Sequence, residues 1–191
     1  MAQASNATVT MTTADSMEAV REIIIESVKQ PATGLVAFDV DMTLTVPKHP
    51  ACHYPTLEQH QGVLKEILAP LSIQEHDQVM TLAVQKHGQQ LADSDTLPTL
   101  EALQQQGLKT MALTASLSGN LVGIGNLQER RFQDLYALGI DFRTAFAQPE
   151  ILLKEIPMHN NYHPIYHQGV LYANGGSARS NKGAVLVAFL K

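Results

Sequence analysis

The sequence predicts an α/β protein in which a parallel sheet lies between two layers of helices. Two short apolar runs, 35–38 and 108–113, have the length of buried strands, and segments with helical spacing and capping residues separate them. Strands that alternate with helices are typical of a three-layer, Rossmann-like arrangement. These two strands lie too far apart for one crossover helix, which indicates an insertion between them.

Helices are predicted where apolar residues recur at helical spacing between capping residues and a Gly or Pro. Asp15, with Glu18 three residues later, is the expected N-cap of the first, and Thr56 with Gln59 caps the second. The predicted helices cover residues 15–29, 56–69, 73–87, 96–106, 126–138 and 182–191. Between them we expect a loop at 45–55, a short apolar stretch at 140–146, a hairpin of 150–156 with 164–173, and a linker at 175–181.

This pattern divides the chain into a core and an insertion. Residues 1–14 are polar and rich in Thr and are expected to form a loose N-terminal tail. The core comprises 15–45 and 96–191. The surplus between the two strands, 46–95, is mostly helical and forms the predicted insertion.

Composition narrows the class of function. The chain has 191 residues, a net charge of −5 and one cysteine, which argues against a nucleic-acid binder and a disulfide framework. No apolar stretch is long enough to span a membrane, so no membrane partner is expected. Met1–Ser5 lacks the apolar segment of a signal peptide, which predicts a cytoplasmic protein, or a secreted or periplasmic one if a signal was trimmed before Met1.

Residues 35–45 read Leu-Val-Ala-Phe-Asp-Val-Asp-Met-Thr-Leu-Thr, an apolar run that ends in two aspartates. If the run is a strand, Asp39 lies at its carboxyl end, where open α/β sheets bind their ligands. A tight loop brings Asp41 into the same crevice, and a divalent cation would offset the repulsion between the two carboxylates. An Asp-x-Asp after a strand is also common as a turn or a helix N-cap.

The full string resembles the first signature of the haloacid dehalogenase-like (HAD) phosphohydrolases, an apolar strand followed by Asp-x-Asp-x-Thr/Val-Leu/Val. Asp39, Asp41, Thr43 and Leu44 fill its positions. The resemblance, which is to an uncharacterised bacterial branch of that superfamily, implies a HAD-like core. It also implies that the insertion at 46–95 is a small helical cap that selects the substrate.

Two further signatures of the family follow in order. The second is an apolar strand that ends in Thr or Ser, which Thr114 matches, with Ser116 as the alternative. The third is a lysine at the start of a helix, which Lys182 matches. A hydroxyl and a lysine in these places would hold the oxygens of a phosphoryl group.

The fourth signature, one or two aspartates at the end of a later strand, has no match, since no acidic residue follows Glu155. We therefore expect either a C-terminally truncated piece of a longer protein, in which the last core strands are missing, or a degenerate relative.

The resemblance implies a Mg²⁺-dependent phosphatase that acts on a small phosphate monoester. Asp39 would attack phosphorus to form an aspartyl-phosphate, and Asp41 would act first as general acid and then as general base. Mg²⁺ would be held by the Asp39 carboxylate, the backbone carbonyl of Asp41 and the acidic residue of the missing fourth signature. The implied site residues are Asp39, Asp41, Thr114 and Lys182 for catalysis, and Thr43, Ala115 and Ser116 for substrate binding.

Because the fourth signature is absent, a non-catalytic HAD-like module that binds a phosphorylated ligand or a protein is the alternative. A nucleotide-binding domain of another type is disfavoured, since neither a Gly-x-Gly-x-x-Gly nor a Walker-type loop occurs. The substrate and the oligomeric state stay open.

Other polar residues are interpreted as structural. His159, His163 and His167 are spaced by four, but Pro164 argues against the helix that would align them as a metal site. They are expected to be ordinary surface or loop histidines. The pair Arg130–Arg131 lies in a segment rich in Gln and Glu and is predicted to face solvent.

Overall fold

A computed structural model describes residues 9–175 and 181–191. Part of the predicted tail and part of the predicted linker, 1–8 and 176–180, lie outside the described residues. The strands are β1 (Leu35–Phe38), β2 (Thr45–Pro47), β3 (Gln89–Leu91), β4 (Lys109–Thr114), β5 (Asn120–Leu121), β6 (Gly125–Asn126), β7 (Glu150–Leu152), β8 (Ile165–His167) and β9 (Val170–Tyr172).

A mixed five-stranded sheet forms the centre of the fold, in the order β1-β4-β9-β8-β7. The first three strands in this order run parallel, whereas β8 is antiparallel to both β9 and β7. The predicted α/β class is confirmed, but the expectation of an all-parallel sheet is wrong. A short turn joins β8 to β9, and a turn of this length can connect only antiparallel neighbours.

Helices cover both faces of this sheet. The helices of the described chain are α1 (Met17–Ser27), α2 (Tyr54–Gln59), α3 (Gln61–Leu68), α4 (Ile73–Lys86), α5 (Thr96–Gln105), α6 (Leu127–Ala137) and α7 (Lys182–Phe189). Of these, α1, α5 and α6 pack on one face of the sheet and α7 packs on the other. Successive residues of β4 point to opposite faces. Ala112 packs in a core with Leu103 of α5, and Met111 packs in a second core with Val185 of α7. In the described part of the chain, no helix is long and apolar enough to cross a bilayer.

The N-terminal helix begins later than the sequence predicts. The Oγ of Ser16 accepts a hydrogen bond from the Ala19 N–H at 3.1 Å, so Ser16 is the N-cap and the prediction of Asp15 is wrong. An N-cap residue typically has extended backbone, and Ser16 does, with φ −149° and ψ 161°.

The segment predicted as an insertion contains three helices, α2 to α4, and a strand pair that the sequence did not indicate. Strands β2 and β3 pair antiparallel, with Thr45 opposite Leu91, and therefore join the two ends of the insertion. The second predicted helix begins at Tyr54 and is divided at His60 into α2 and α3. These differences leave the helical character of the insertion unchanged.

The longest helix of the insertion, α4, packs against the segment that follows β4. Ser72 and Glu75 form a capping box at its N-terminus. On its inner side Leu82 packs against Leu117 and Leu121. The insertion is therefore attached to the core next to the loop that leaves β4.

The predicted hairpin of 150–156 with 164–173 forms only in part. Its second arm is divided by a turn at Gln168 and Gly169, both with positive φ (50° and 89°), as two-residue hairpin turns often require. Strand β9 leaves this turn and pairs with β4, with Thr114 opposite Tyr172. The arm predicted as an elaboration thus supplies the next parallel strand of the sheet, and 140–146 forms no strand.

Two buried tyrosines predict loss of stability in alkali. Tyr166 and Tyr172 are 1% and 0% exposed, and burial raises the pKa of Tyr166 to about 12 and that of Tyr172 well above its usual value. Above pH 10 the unfolded chain releases these protons and the folded chain keeps them, so stability falls as pH rises. Each of the two tyrosines should lower the free energy of unfolding by about 1.4 kcal/mol per pH unit between about pH 10 and 12.

The measurement is the free energy of urea unfolding at several pH values in that window. Tyr172→Phe should about halve the fall in stability with pH. Because it also removes the hydrogen bond from the Tyr172 hydroxyl to the Gln128 carbonyl (3.0 Å), its stability should be lower at every pH. An unchanged slope in this variant would contradict the assignment.

Candidate active site

The loop that follows β1 holds two carboxylates at the surface. Between them Val40 is fully buried, and its carbonyl accepts a hydrogen bond from the Leu44 N–H at 3.0 Å. Met42 has a φ of 63°, which turns the chain back within this loop. With Val40 and Leu44 both buried in the core, Asp39 and Asp41 face outward, and each side chain is 45% exposed.

Asp39 is paired with the lysine that the third signature indicated. Lys182 is the first residue of α7, and its Nζ lies 2.6 Å from Asp39 Oδ1. The N–H of Val40 donates to the same oxygen at 2.8 Å. Both of these contacts are made by Oδ1 of the carboxylate.

The two predicted hydroxyls lie at the end of the neighbouring strand. Thr114 is fully buried, and its Oγ1 lies 2.9 Å from Ser116 Oγ and accepts from the Ser116 N–H at 3.1 Å. Ser116 Oγ in turn lies 3.5 Å from Asp41 Oδ2. Ser116, the alternative to Thr114 in the sequence, is therefore the hydroxyl that contacts an acidic side chain.

The remaining predicted substrate-binding residues take part through the backbone. Thr43 is half-buried in the loop after β1, and its N–H donates to the Val40 carbonyl at 3.3 Å. Ala115 accepts from the Gly175 N–H at 3.2 Å, which connects the end of β4 to the segment after β9. Ala115 lies between Thr114 and Ser116 in the sequence, and Thr43 lies two positions after Asp41.

An arginine that the sequence interpretation placed in solvent belongs to this site. Arg131 Nη2 bonds Asp41 Oδ1 and lies 3.5 Å from Ser116 Oγ. Its side chain is 5% exposed, whereas that of Arg130 is 54% exposed and pairs with Asp134. The prediction is confirmed for Arg130 and wrong for Arg131. Leu127 and Leu135, one turn before and after Arg131 in α6, indicate its buried face.

The donor set fits a magnesium ion only in part. Two carboxylates suit Mg²⁺, which uses one or two of them together with waters and substrate phosphate. Among residues 9–175 and 181–191, however, no group of three or more His, Cys, Asp or Glu side chains is arranged to hold a metal. The Asp39 carboxylate and the Asp41 backbone carbonyl would therefore be the protein ligands, and water and substrate oxygens would have to complete the coordination.

The three evenly spaced histidines are held apart by different partners. His159 Nε2 lies 2.9 Å from Asp77 Oδ2, and His163 Nδ1 lies 2.8 Å from the Ile156 carbonyl. These partners agree with a structural interpretation and not with a shared metal.

His167 differs from the expected loop histidine, because it is buried in β8 between two carboxylates. Its ring nitrogens lie 2.9 Å from Glu129 Oε2 and 3.0 Å from Glu150 Oε2. Hydrogen bonds from Gln133 and then from His167 lower the pKa of Glu129. These contacts connect α6 to the hairpin and do not include the site carboxylates.

A small cavity of about 120 Å³ is lined in part by residues that follow Ser116 in the sequence, starting with Ser118. Its lining residues come from the loop after β4, the start of α6 and the segment before β8. They are Ser118, Gly119, Asn120, Asn126, Gln128, Leu152, Tyr162, His163 and Ile165. Neither site aspartate lines this cavity.

Comparison with known proteins gives one match. No curated protein and no solved structure matches the chain significantly. The model of a family described as a protein of unknown function, DUF2608, matches residues 13–191. The match covers most of the chain, so the chain belongs to the DUF2608 family. It includes the loop after β1, the end of β4 and the start of α7, and therefore every residue of the site.

Proposed function

We propose that the chain is a HAD-like, Mg²⁺-dependent phosphohydrolase that cleaves a phosphate monoester through an aspartyl-phosphate on Asp39. The ion pair between Lys182 Nζ and Asp39 Oδ1, 2.6 Å long, is the observation that carries the proposal. This ion pair joins residues that are 143 positions apart in the chain. It lies at the carboxyl end of β1, whose parallel neighbour β4 ends in Thr114. A nucleophilic carboxylate next to a cation suits phosphoryl transfer, in which charge on the transferring oxygens must be stabilised.

Asp39 is the nucleophile of the proposed reaction. Because Oδ1 already accepts from Lys182 and from the Val40 N–H, Oδ2 attacks phosphorus. The Oδ2–P bond forms while the bond from phosphorus to the leaving oxygen breaks. Asp41 gives its proton to that oxygen, so the alcohol leaves neutral.

In the second step a water molecule attacks the phosphorus of the aspartyl-phosphate. Asp41 takes the proton of this water, and the bond between phosphorus and Asp39 Oδ2 breaks, which releases inorganic phosphate and restores both carboxyl groups. Lys182 stabilises negative charge on the phosphoryl oxygens, and Ser116, held by Thr114, offers them a hydroxyl donor. Mg²⁺ would be held by the Asp39 carboxylate and the backbone carbonyl of Asp41, and would supply further neutralisation of phosphoryl charge.

The insertion is proposed as the cap that selects the substrate. Helix α4 packs through Leu82 on the segment after Ser116, and Asp77 of the same helix pairs with His159 of the core at 2.9 Å. The Leu82 contact places this helix beside the segment that follows Ser116. We expect a substrate bound at the carboxylates to approach past the insertion, which would recognise its leaving group.

Purified protein is expected to hydrolyse p-nitrophenyl phosphate in the presence of Mg²⁺. Chelation with EDTA should lower the rate by about 100-fold or more, since a metal supplies several kcal/mol of charge stabilisation. Adding Mg²⁺ back should restore it, and adding Ca²⁺ should not, because its larger radius changes the geometry. Release of p-nitrophenolate is the readout. Equal rates with EDTA and with Mg²⁺ would contradict the metal requirement.

A non-catalytic phosphate-binding module is the second candidate, and a specific observation favours it. Each site carboxylate already has a protein cation as its partner, and the described residues offer no further acidic ligand beside them. Isothermal titration with inorganic phosphate distinguishes the two functions. Binding that Lys182→Met abolishes, together with no turnover of any phosphate ester, would favour the module over the enzyme.

A further inference from the structure

Arg131 is buried at a cost that its packing does not explain. Its side chain is 5% exposed, and its Nε is buried with no hydrogen-bond partner among the described residues. A buried donor without an acceptor destabilises the folded state. The residues that contact the Arg131 guanidinium explain why it is buried despite this cost.

The neighbours of Arg131 are the second aspartate and the hydroxyl that contacts it. Nη2 bonds Asp41 Oδ1 and lies 3.5 Å from Ser116 Oγ, while Ser116 Oγ lies 3.5 Å from Asp41 Oδ2. The guanidinium thus holds one carboxylate oxygen, and the other lies next to the hydroxyl that Thr114 orients. Because Asp41 is exposed and Arg131 is not, a substrate can reach the carboxylate but not the cation.

We propose that Arg131 is a positioning residue for Asp41, which fixes Oδ1 and leaves Oδ2 to exchange a proton with the substrate. The inference rests on the proposed phosphohydrolase function and adds a residue to it. A general acid must lie within hydrogen-bond distance of the leaving oxygen, and small displacements of a reacting group cost much of the rate. A carboxylate that is 45% exposed in a surface loop needs such an anchor to keep one orientation.

The test compares two substrates that differ in their need for a proton. The nitrophenolate of p-nitrophenyl phosphate leaves readily without protonation, whereas the phenolate of phenyl phosphate benefits from a general acid. For Arg131→Gln we expect kcat/KM, which reports only the steps up to release of the alcohol, to fall about 30-fold on phenyl phosphate and about 3-fold or less on p-nitrophenyl phosphate. Asp41→Asn should show the same selectivity, and Arg131→Gln added to it should change little.

Two further variants complete the design. Arg130→Gln, the adjacent exposed arginine of the same helix, should leave both rates unchanged. Arg131→Lys keeps the charge and should retain more activity on phenyl phosphate than Arg131→Gln, and it carries the comparison if the Gln variant fails to fold. Circular dichroism and thermal unfolding establish which variants fold.

The outcomes separate the inference from the proposed function. If the wild-type chain hydrolyses both esters and the Arg131 variants lose kcat/KM equally on both, the positioning role is overturned and the phosphohydrolase stands. If the wild-type chain hydrolyses neither ester with Mg²⁺, the proposed function is overturned and the role of Arg131 falls with it. Selective loss on phenyl phosphate supports both.

Discussion

Asp39→Asn is expected to lower kcat/KM for p-nitrophenyl phosphate by at least about 10⁴-fold, because an amide cannot form the aspartyl-phosphate. The substitution keeps the size of the side chain, and its amide oxygen can still accept from the Val40 N–H, which lies 2.8 Å from Asp39 Oδ1. Loss of activity without loss of structure is therefore the expected result. Steady-state kinetics and urea unfolding measure the two properties.

A matched acid-to-amide change provides the control. Glu26 is exposed on α1, away from the site, and Glu26→Gln should leave kcat/KM unchanged. Mass spectrometry of acid-quenched wild-type enzyme should find one phosphoryl group on the peptide that contains Asp39. Removal of a nucleophile lowers the rate by far more than about 10-fold. If Asp39→Asn kept more than about a tenth of the wild-type rate, Asp39 would therefore not be the nucleophile.

Gly169→Ala is expected to lower the free energy of unfolding by about 3 kcal/mol or more, through backbone strain and steric overlap together. Gly169 has a φ of 89°, and a Cβ at this position would lie 2.5 Å from the backbone carbonyl carbon of Phe142. Backbone cannot move aside as a flexible side chain can. For a chain of this size the melting temperature should fall by about 10 °C, measured by circular dichroism.

Gly107→Ala isolates the backbone part of this effect. Gly107 follows α5 with a φ of 83°, but a Cβ there would meet nothing within 4 Å. This variant should lose about 1 kcal/mol, the cost of a non-glycine residue in the left-handed region. If both variants lost the same stability, overlap with Phe142 would not contribute, and the β8–β9 turn would be less tightly packed than the structure indicates.

The strands that carry the predicted chemistry could be recognised from local sequence. Each is a short apolar run that ends in polar residues, and β1 and β4 occur where this pattern places them. The sequence pattern predicts β8 and β9 as one arm, because the turn between them depends on two consecutive residues with positive φ, of which only Gly169 is a glycine. It does not indicate β2 and β3, because each has only three residues and is defined by its partner.

The site shows a similar division. Asp39, Asp41, Thr114 and Lys182 were selected by a motif whose spacing is local, and Ser116 entered as the alternative hydroxyl. The polar neighbours of Arg131 in the sequence predict a side chain that faces solvent. Its position one turn from Leu127 and from Leu135 was the available signal. That signal places it on a buried face but does not identify the carboxylate it meets, since Asp41 lies 90 positions away.

By itself the sequence determined the α/β class, the two principal strands, and an acidic loop followed by a hydroxyl and a lysine. These features depend on the alternation of apolar and polar residues and on turn chemistry, which act over a few residues. The tertiary structure alone decided that Lys182 meets Asp39, that Arg131 meets Asp41, and that β9 and not β7 lies beside β4. Such contacts join distant parts of the chain, and their geometry depends on how whole elements pack.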